Sequence, residues 1–182
     1  MKIKKILIFL SFTVLISRMA GAQTWEKGKY NFWKDWQILK YITRVTVLVE
    51  GLSEDAVKIG LTEHRIQTVT ELRLRKEGIN IVTREEVSKE DVVFGSITYM
   101  RIPTLYVNVH VAGAAVSVRL EILDFVKLDR IAEVWCLATT WHSPQMAGTH
   151  GNNPESIVGS VNQLLDEFFN DYYKANPKKD VI

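Results

Sequence analysis

A histidine and a serine on two consecutive predicted strands are a candidate catalytic pair in this sequence. His110 and Ser117 face each other if residues 105–111 and 116–122 form a hairpin. A histidine can take the proton of a serine hydroxyl, which begins hydrolysis by a Ser-His-Asp triad. The serine lies within a strand rather than on a sharp turn, and no G-x-S-x-G motif surrounds it. We therefore favour an ordinary polar sheet face over a hydrolase site.

His142 and His150 flank a polar segment and raise the question of a metal site. Zinc needs three or four ligands, which proteins supply from recognisable motifs. No H-x-x-x-H or C-x-x-C motif accompanies these two histidines, and the glycines are too scattered for a phosphate-binding loop. The sequence therefore predicts no metal ion and no other cofactor.

The chain has a single cysteine, Cys136, so it cannot form an internal disulfide. A catalytic thiolate needs a cationic neighbour or a helix start to lower its pKa, and neither is adjacent in the sequence. The surrounding apolar stretch 134–138 predicts a buried, unreactive thiol instead.

Three of the five tryptophans, Trp25, Trp33 and Trp36, lie within twelve residues near the start of the chain. Exposed, they would form a patch suited to a partner protein or a membrane interface, whereas packed they would cover part of the domain. Packing is the favoured interpretation, because large apolar patches are uncommon on monomers. We keep Trp25, Trp33 and Trp36, with His142 and His150, as a candidate interaction surface.

Hydrophobic periodicity and cap residues predict the elements that position these side chains. They are a short amphipathic helix within 23–41, a strand at 44–50, a helical turn after Ser53, a helix over 62–77, strands at 79–82 and 92–100, the hairpin strands 105–111 and 116–122, a last strand at 134–142 and a helix from 154 to about 176. The helix over 62–77 has Thr62 as its cap and an apolar stripe of Ile66, Val69 and Leu72. Residues 143–153 are rich in turn formers and predict a mobile loop.

The register of the hairpin follows from keeping both apolar sets of side chains on one face. Val109 then pairs with Val118 and Val107 with Leu120, around a loop at 112–115. The opposite, wet face carries the pairs His110–Ser117, Asn108–Arg119 and Tyr106–Glu121. One wet face and one covered face predict an α+β fold, a two-layer sandwich in which a mostly antiparallel sheet of about five strands has two long helices on one side.

Residues 1–22 have the three parts of a secretory signal peptide. A basic start is followed by an apolar run over 6–16, and Ala20-Gly21-Ala22 is a small-x-small cleavage site. A membrane anchor would need about 20 apolar residues, and Arg18 ends this run sooner. We expect cleavage between Ala22 and Gln23, residence in the periplasm or outside the cell, and no transmembrane anchor afterwards.

Cleavage would leave an aromatic-rich, helical segment at 23–41, a single α+β domain at 42–177 and a disordered tail at 178–182. It would also remove four basic residues and no acidic ones, so the mature chain would hold 19 basic and 21 acidic residues. Nucleic-acid-binding domains need a basic stripe to neutralise phosphates. We therefore expect no nucleic-acid partner.

Three stretches carry a resemblance to other proteins: GLTEH at 60–64 leading to ELRLRKEGI at 71–79, LYVNV at 105–109, and FFNDYYKANP at 168–177. They resemble uncharacterised small exported bacterial α+β proteins, over most of 42–177. The order of elements is also similar to that of the N-terminal domain of TolB-like periplasmic proteins. Both resemblances imply the fold and an envelope location, and neither brings catalytic residues with it.

These patterns favour a non-enzymatic exported envelope protein, an accessory or protein-interaction module whose partner is another envelope protein. The alternative is a small hydrolase or metal-dependent enzyme that uses His110, His142 or His150.

Overall fold

The computed structural model describes residues 35–83, 85–86, 92–94, 97–99, 102–128, 130–131, 134–149 and 151–177. All of these residues belong to one structural unit. The predicted signal peptide at 1–22, the side chains of Trp25, Trp33 and His150, and the predicted tail at 178–182 lie outside the described residues.

One strand and three short or medium helical elements open the described chain, seven strands then follow in a row, and a helix ends it, the segregated order typical of an α+β protein. In chain order they are a 3-10 helix at Asp35–Leu39, β1 at Arg44–Val49, α1 at Glu54–Lys58, α2 at Glu63–Lys76, β2 at Asn80–Ile81, β3 at Val92–Phe94, β4 at Ile97–Tyr99, β5 at Thr104–Ala112, β6 at Ala115–Lys127, β7 at Trp135–His142, β8 at Met146–Thr149 and α3 at Pro154–Ala175. The described end of the predicted helical segment 23–41 is thus a 3-10 helix. None of the described helices combines the length and the apolar character that a bilayer span requires.

The main sheet is mixed but mostly antiparallel. Its strand order is β2-β1-β5-β6-β7, and β8 also pairs with β6. β1 runs parallel to both β2 and β5, whereas β6 is antiparallel to its three neighbours. The described residues therefore contribute six strands to this sheet, where the sequence predicts about five.

β8 corrects the prediction that residues 143–153 form a mobile loop. Gly148 of β8 lies opposite Val116, and Met146 lies opposite Val118. β6 is thirteen residues long, so it pairs with β8 near its start and with β7 further along. The stretch Met-Ala-Gly-Thr has weak intrinsic strand preference, and pairing with the edge of β6 makes it a strand.

Residues 92–100 also differ from the prediction of a single strand. β3 and β4 pair with each other antiparallel and form a separate two-stranded sheet. Gly95 and Ser96 stand between them in the sequence, a dipeptide typical of two-residue hairpins.

The β5–β6 hairpin has the predicted register. Val109 lies opposite Val118 and Val107 opposite Leu120, and all four side chains are buried. They define the inner face of the sheet, and the opposite face is called the outer face below. The ladder continues to the last residues of β5, so only Gly113, at a φ of +56°, and Ala114 form the turn.

α2 and α3 begin at their predicted caps. The Thr62 side chain accepts a hydrogen bond from the N–H of Arg65, and that of Asn153 accepts one from Glu155. Both bonds satisfy N–H groups that have no partner within the first helical turn.

The buried face of α2 is rotated from the predicted stripe. Ile66, Thr70 and Leu74 are buried, whereas Leu72 is 59% exposed. Thr70 occupies this apolar face because its hydroxyl donates to the carbonyl of Ile66 at 2.8 Å. Because threonine is a polar residue type, a hydrophobicity pattern does not place Thr70 on the buried face of α2.

α3 contributes its apolar face to the same core as the inner face of the sheet. Phe168 is fully buried and packs edge-on against Trp141 of β7, with 5.2 Å between ring centroids. The Trp141 indole N–H donates to Asp171 at 3.3 Å. These contacts join α3 to β7.

Candidate functional site

The outer face carries the polar cross-strand pairs that the sequence predicts. The pairs are His110–Ser117, Asn108–Arg119 and Tyr106–Glu121. Successive side chains of a strand point to opposite faces, so these six residues share the face opposite the apolar core.

Part of this face is a cleft of about 430 Å³, called the polar cleft below. Its lining comes from the ends of β1 and α1, from β5 and β6, and from the connection between β7 and β8. The lining residues are Glu50, Gly51, Ser53, Asn108, Val109, His110, Ser117, Arg119 and Gln145. Sites for small organic ligands are mostly apolar, whereas this lining is mostly polar, so the cleft suits charged and hydrogen-bonding groups.

Glu50 lies directly after β1 and gathers two donors from β5. Its carboxylate accepts hydrogen bonds from the Asn108 amide and from the Tyr106 hydroxyl. Burial, the bond to Glu50 and the charge of Glu50 raise the pKa of Tyr106 above its usual value. Tyr106 therefore remains a protonated donor at neutral pH, and the Glu50 carboxylate is held in place from two sides.

Arg119 provides the positive charge of the polar cleft. Its guanidinium forms a 2.8 Å ion pair with Glu121, whose side chain is only 11% exposed, while that of Arg119 is 44% exposed. Thr139 is 3.5 Å from the second carboxylate oxygen of Glu121. A guanidinium has five N–H donors, so Arg119 is oriented by Glu121 and retains donors for a bound group.

His110 and Ser117 are neighbours, but their contacts are not those of a catalytic pair. The Ser117 hydroxyl accepts a 2.6 Å hydrogen bond from the Gln145 amide. In the described part of the chain, no carboxylate is hydrogen-bonded to His110, although a triad needs an acid that orients its histidine. The two residues contribute polar surface to the cleft.

His142 ends β7 and lies opposite Glu121. Its Nδ1 is 3.1 Å from the carbonyl oxygen of Ser143. A carbonyl oxygen only accepts, so Nδ1 is protonated and donates this hydrogen bond. Across the described ranges, no group of three or more His, Cys, Asp or Glu residues could hold a metal ion.

The other residues that the sequence singles out are only partly exposed. Trp36 is half-buried and packs against the core, whereas Trp25 and Trp33 fall outside the described ranges. Cys136 is half-buried, which corrects the prediction of a buried thiol. It lies on β7, an end strand of the described sheet, where a side chain has fewer neighbours than on a central strand.

Exposed apolar side chains lie at the far end of the outer face. Leu137 of β7, opposite Phe125, is 52% exposed, and Trp135, opposite Lys127, is 44% exposed. One face of the sheet thus combines a polar cleft with an apolar area, as the rim and the core of protein interfaces do.

Sequence reasoning misses the residues of the polar cleft that lie outside β5 and β6, among them Glu50 and Gln145. Glu50 reaches β5 because β1 and β5 are parallel neighbours, with Leu48 opposite Tyr106. That pairing joins segments more than fifty residues apart, and no local pattern indicates it. Gln145 reaches Ser117 because β8 returns along β6.

Comparison with known proteins finds no matching family model, no similar curated protein and no similar solved structure.

Proposed function

We propose that this protein is a non-enzymatic exported envelope protein, an accessory or interaction module, whose partner protein binds to the outer face of the sheet. The observation that carries this proposal is the polar cleft. Its charged groups are positioned by hydrogen bonds from neighbouring side chains, and its serine and histidine are not joined to a described acid. Such an arrangement can recognise polar groups and lacks the parts that activate a nucleophile.

A two-layer architecture would present the outer face to this partner, and contacts between the long helices support it. Arg73 of α2 pairs with Asp166 of α3, and its guanidinium lies 5.6 Å from the ring centroid of Phe169. α3 shares the core of the inner face. We infer that α2 and α3 form the second layer on that side.

Arg119 is the residue we expect to contribute most to binding. Arginine is enriched among the residues that dominate the energy of protein interfaces. The nearly buried Glu121 holds the guanidinium in one orientation, so less side-chain freedom is lost when a partner binds. The Glu50 carboxylate offers a fixed acceptor in the same cleft, so the matching surface of the partner carries both an acid and a donor.

Site-specific photo-crosslinking in the envelope of an expressing bacterium tests this proposal. A photoreactive phenylalanine analogue replaces Gln145 at the polar cleft or, as the matched control, Gln163 on the exposed side of α3. We expect a discrete adduct from position 145 and none from position 163. Arg119→Ala should reduce the adduct at least tenfold, because loss of a dominant interface residue costs about 2 kcal/mol or more. Equal adducts at both positions, or an adduct that is insensitive to Arg119→Ala, would contradict the proposal.

The hydrolase alternative makes a different prediction for Ser117. If Ser117 is a nucleophile, Ser117→Ala abolishes the biological activity of the protein while the adduct at position 145 persists. A binding role predicts that Ser117→Ala changes the adduct and the activity together, and by less than Arg119→Ala does.

A further inference from the structure

β1 has one edge that is paired along its length. Towards β5, the N–H of Thr46 donates to the carbonyl of Pro103 at 3.0 Å, and the N–H of Glu50 donates to a β5 carbonyl at 2.9 Å. The N–H and C=O groups of alternate residues point to opposite sides of a strand. Those of Val47 and Val49 therefore point away from β5, to the side on which β2 lies.

On that second side the pairing stops early. The N–H of Val82 donates to the carbonyl of Val45 at 3.0 Å, and β2 pairs no further along β1 than Val45. The chain then turns away, because Thr83 and Glu86 form a reciprocal cap in which each accepts a bond from the backbone N–H of the other, at 3.3 and 2.8 Å. On this second side of β1, no strand in the described part of the chain lies beside residues 46–49.

The open edge of β1 forms one side of a groove of about 450 Å³, called the edge groove below. Val47 and Val49 line it, and Val47 is only 8% exposed. Thr46 lines the same groove, and its buried hydroxyl oxygen has no hydrogen-bond partner among the described residues. An unpaired strand edge presents N–H and C=O groups that pair readily with another chain, so the open side of β1 suits an added strand.

The wall opposite this edge is acidic. It is formed by one side of α2, where Glu63, Gln67, Glu71 and Arg75 follow one another at intervals of one turn, and Glu85 closes the end. The Glu71 carboxylate accepts bonds from Gln67 at 2.9 Å and from Arg75 at 2.7 Å. The described lining thus holds three carboxylates and one guanidinium, so its net charge is negative.

We propose that the edge groove binds an extended, basic segment of a partner protein, which adds a strand to the sheet beside β1. The segment pairs with the N–H and C=O groups of Val47 and Val49, the usual mode of strand addition. Every second side chain of the added strand points towards α2, and lysine or arginine at these positions faces Glu63 and Glu71. The proposal rests on the proposed role as an interaction module but not on the polar cleft.

The acidic wall also argues against a second copy of this chain as the occupant. Two β1 edges that paired with each other would bring Glu63 and Glu71 of both copies to the same interface. Like charges brought together at an interface oppose association. A basic segment, by contrast, compensates the charge of the wall.

A synthetic peptide tests the proposal on the purified protein. The probe is a labelled peptide of alternating lysine and valine, about eight residues long. Extended, it is longer than the open stretch of β1 at residues 46–49, which spans about 13 Å. Its binding is measured by fluorescence anisotropy, with the same peptide carrying glutamate in place of lysine as the control. We expect the lysine peptide to bind and the glutamate peptide not to bind. The double variant Glu63→Gln with Glu71→Gln should raise its Kd about tenfold, and the matched variant Glu54→Gln, on an acid outside the groove, should not.

Amide hydrogen exchange by NMR shows where the peptide binds. We expect exchange at Val47 and Val49 to slow at least about tenfold on peptide addition, whereas the N–H groups of Thr46 and Glu50, already bonded to β5, should not change. Equal affinity for both peptides overturns the basic partner, and binding without protection of Val47 and Val49 overturns strand addition. If the lysine peptide does not bind, both the basic partner and strand addition are contradicted. Slow exchange at Val47 in the free protein contradicts them too, because the edge of β1 is then already covered. Sedimentation would then show whether a second copy of the chain covers this edge. Arg119→Ala should leave the Kd of the peptide unchanged, because Arg119 lies in the polar cleft and not in the edge groove. The peptide experiment therefore tests the edge groove separately from the proposed partner site at the polar cleft.

Discussion

Asn176, the residue after α3, is expected to stabilise the protein well beyond what its position in the sequence indicates. Its amide donates to the carbonyls of Leu39 and Tyr172, both at 3.0 Å, and its oxygen accepts from the N–H of Tyr41 at 2.9 Å. Leu39 is fully buried. One side chain thus ties the end of the 3-10 helix to the end of α3.

The cost of Asn176→Ala follows from these three bonds. The two bonds to carbonyls are partly buried, and a hydrogen bond contributes a net of about 1 kcal/mol. The bond to Tyr41 is exposed, and water replaces it at little cost. The free energy of unfolding should therefore fall by about 2 kcal/mol, and Tm should fall by roughly 4–8 °C for a chain of this size.

Urea unfolding followed by circular dichroism measures this change, with two further variants as controls. Asn170→Ala removes an exposed asparagine of α3 and should change the free energy of unfolding by less than about 0.5 kcal/mol. Asn176→Asp keeps the acceptor for Tyr41 but loses the donor to both carbonyls, so it should destabilise at least as much as Asn176→Ala. The reasoning fails if Asn176→Ala resembles Asn170→Ala, or if Asn176→Asp is as stable as the native chain.

Two further predictions concern export and ionisation. N-terminal sequencing of the processed protein should begin at Gln23 or within a residue or two of it, and a cellular form that still begins at Met1 would contradict export. A hydrogen bond to Glu77 raises the pKa of the Tyr173 hydroxyl to about 12. Below pH 10 the Tyr173 hydroxyl is protonated in both the folded and the unfolded chain, so the stabilising hydrogen bond is fully present. Between about pH 10 and pH 12 this hydroxyl ionises only in the unfolded chain, so the free energy of unfolding falls as the pH rises. In a titration followed by absorbance, the Tyr173→Phe variant should lack the tyrosine ionisation that occurs at the highest pH. A titration curve identical to that of the native chain would show that the bond to Glu77 does not raise the pKa of Tyr173.

Much of the fold follows from local patterns in the sequence. The alternation of valines with polar residues in β5 and β6 predicts the observed pairing of Val109 with Val118. Thr62 and Asn153 predict the starts of α2 and α3. These predictions succeed because a cap or a hairpin involves residues close together in the chain, whose types alone decide which backbone groups are paired.

Two of the predictions that fail depend on the position of a strand within the sheet, and one depends on a side-chain contact within a helix. Met146 to Thr149 become β8 because β6 is long enough to offer an edge, and a composition typical of loops conceals this. Leu72 is exposed because Thr70 can bury its hydroxyl against the carbonyl of Ile66, so the apolar face of α2 includes a polar residue type. Cys136 is only half-buried because β7 ends the described sheet.

The candidate site shows the same division. The residue pattern of the hairpin is enough to predict that His110, Asn108 and Tyr106 share a polar face with Ser117, Arg119 and Glu121, since side chains alternate along a strand and one face must be apolar. Glu50 joins them only in the folded protein, because β1 and β5 are parallel neighbours although more than fifty residues separate them in the sequence. The fold also brings the Gln145 amide to the Ser117 hydroxyl. Among the described residues, the fold also leaves the second side of β1 unpaired after Val45. Backbone pairing between distant strands obeys hydrogen-bond geometry common to all residues, and residue types therefore do not reveal it.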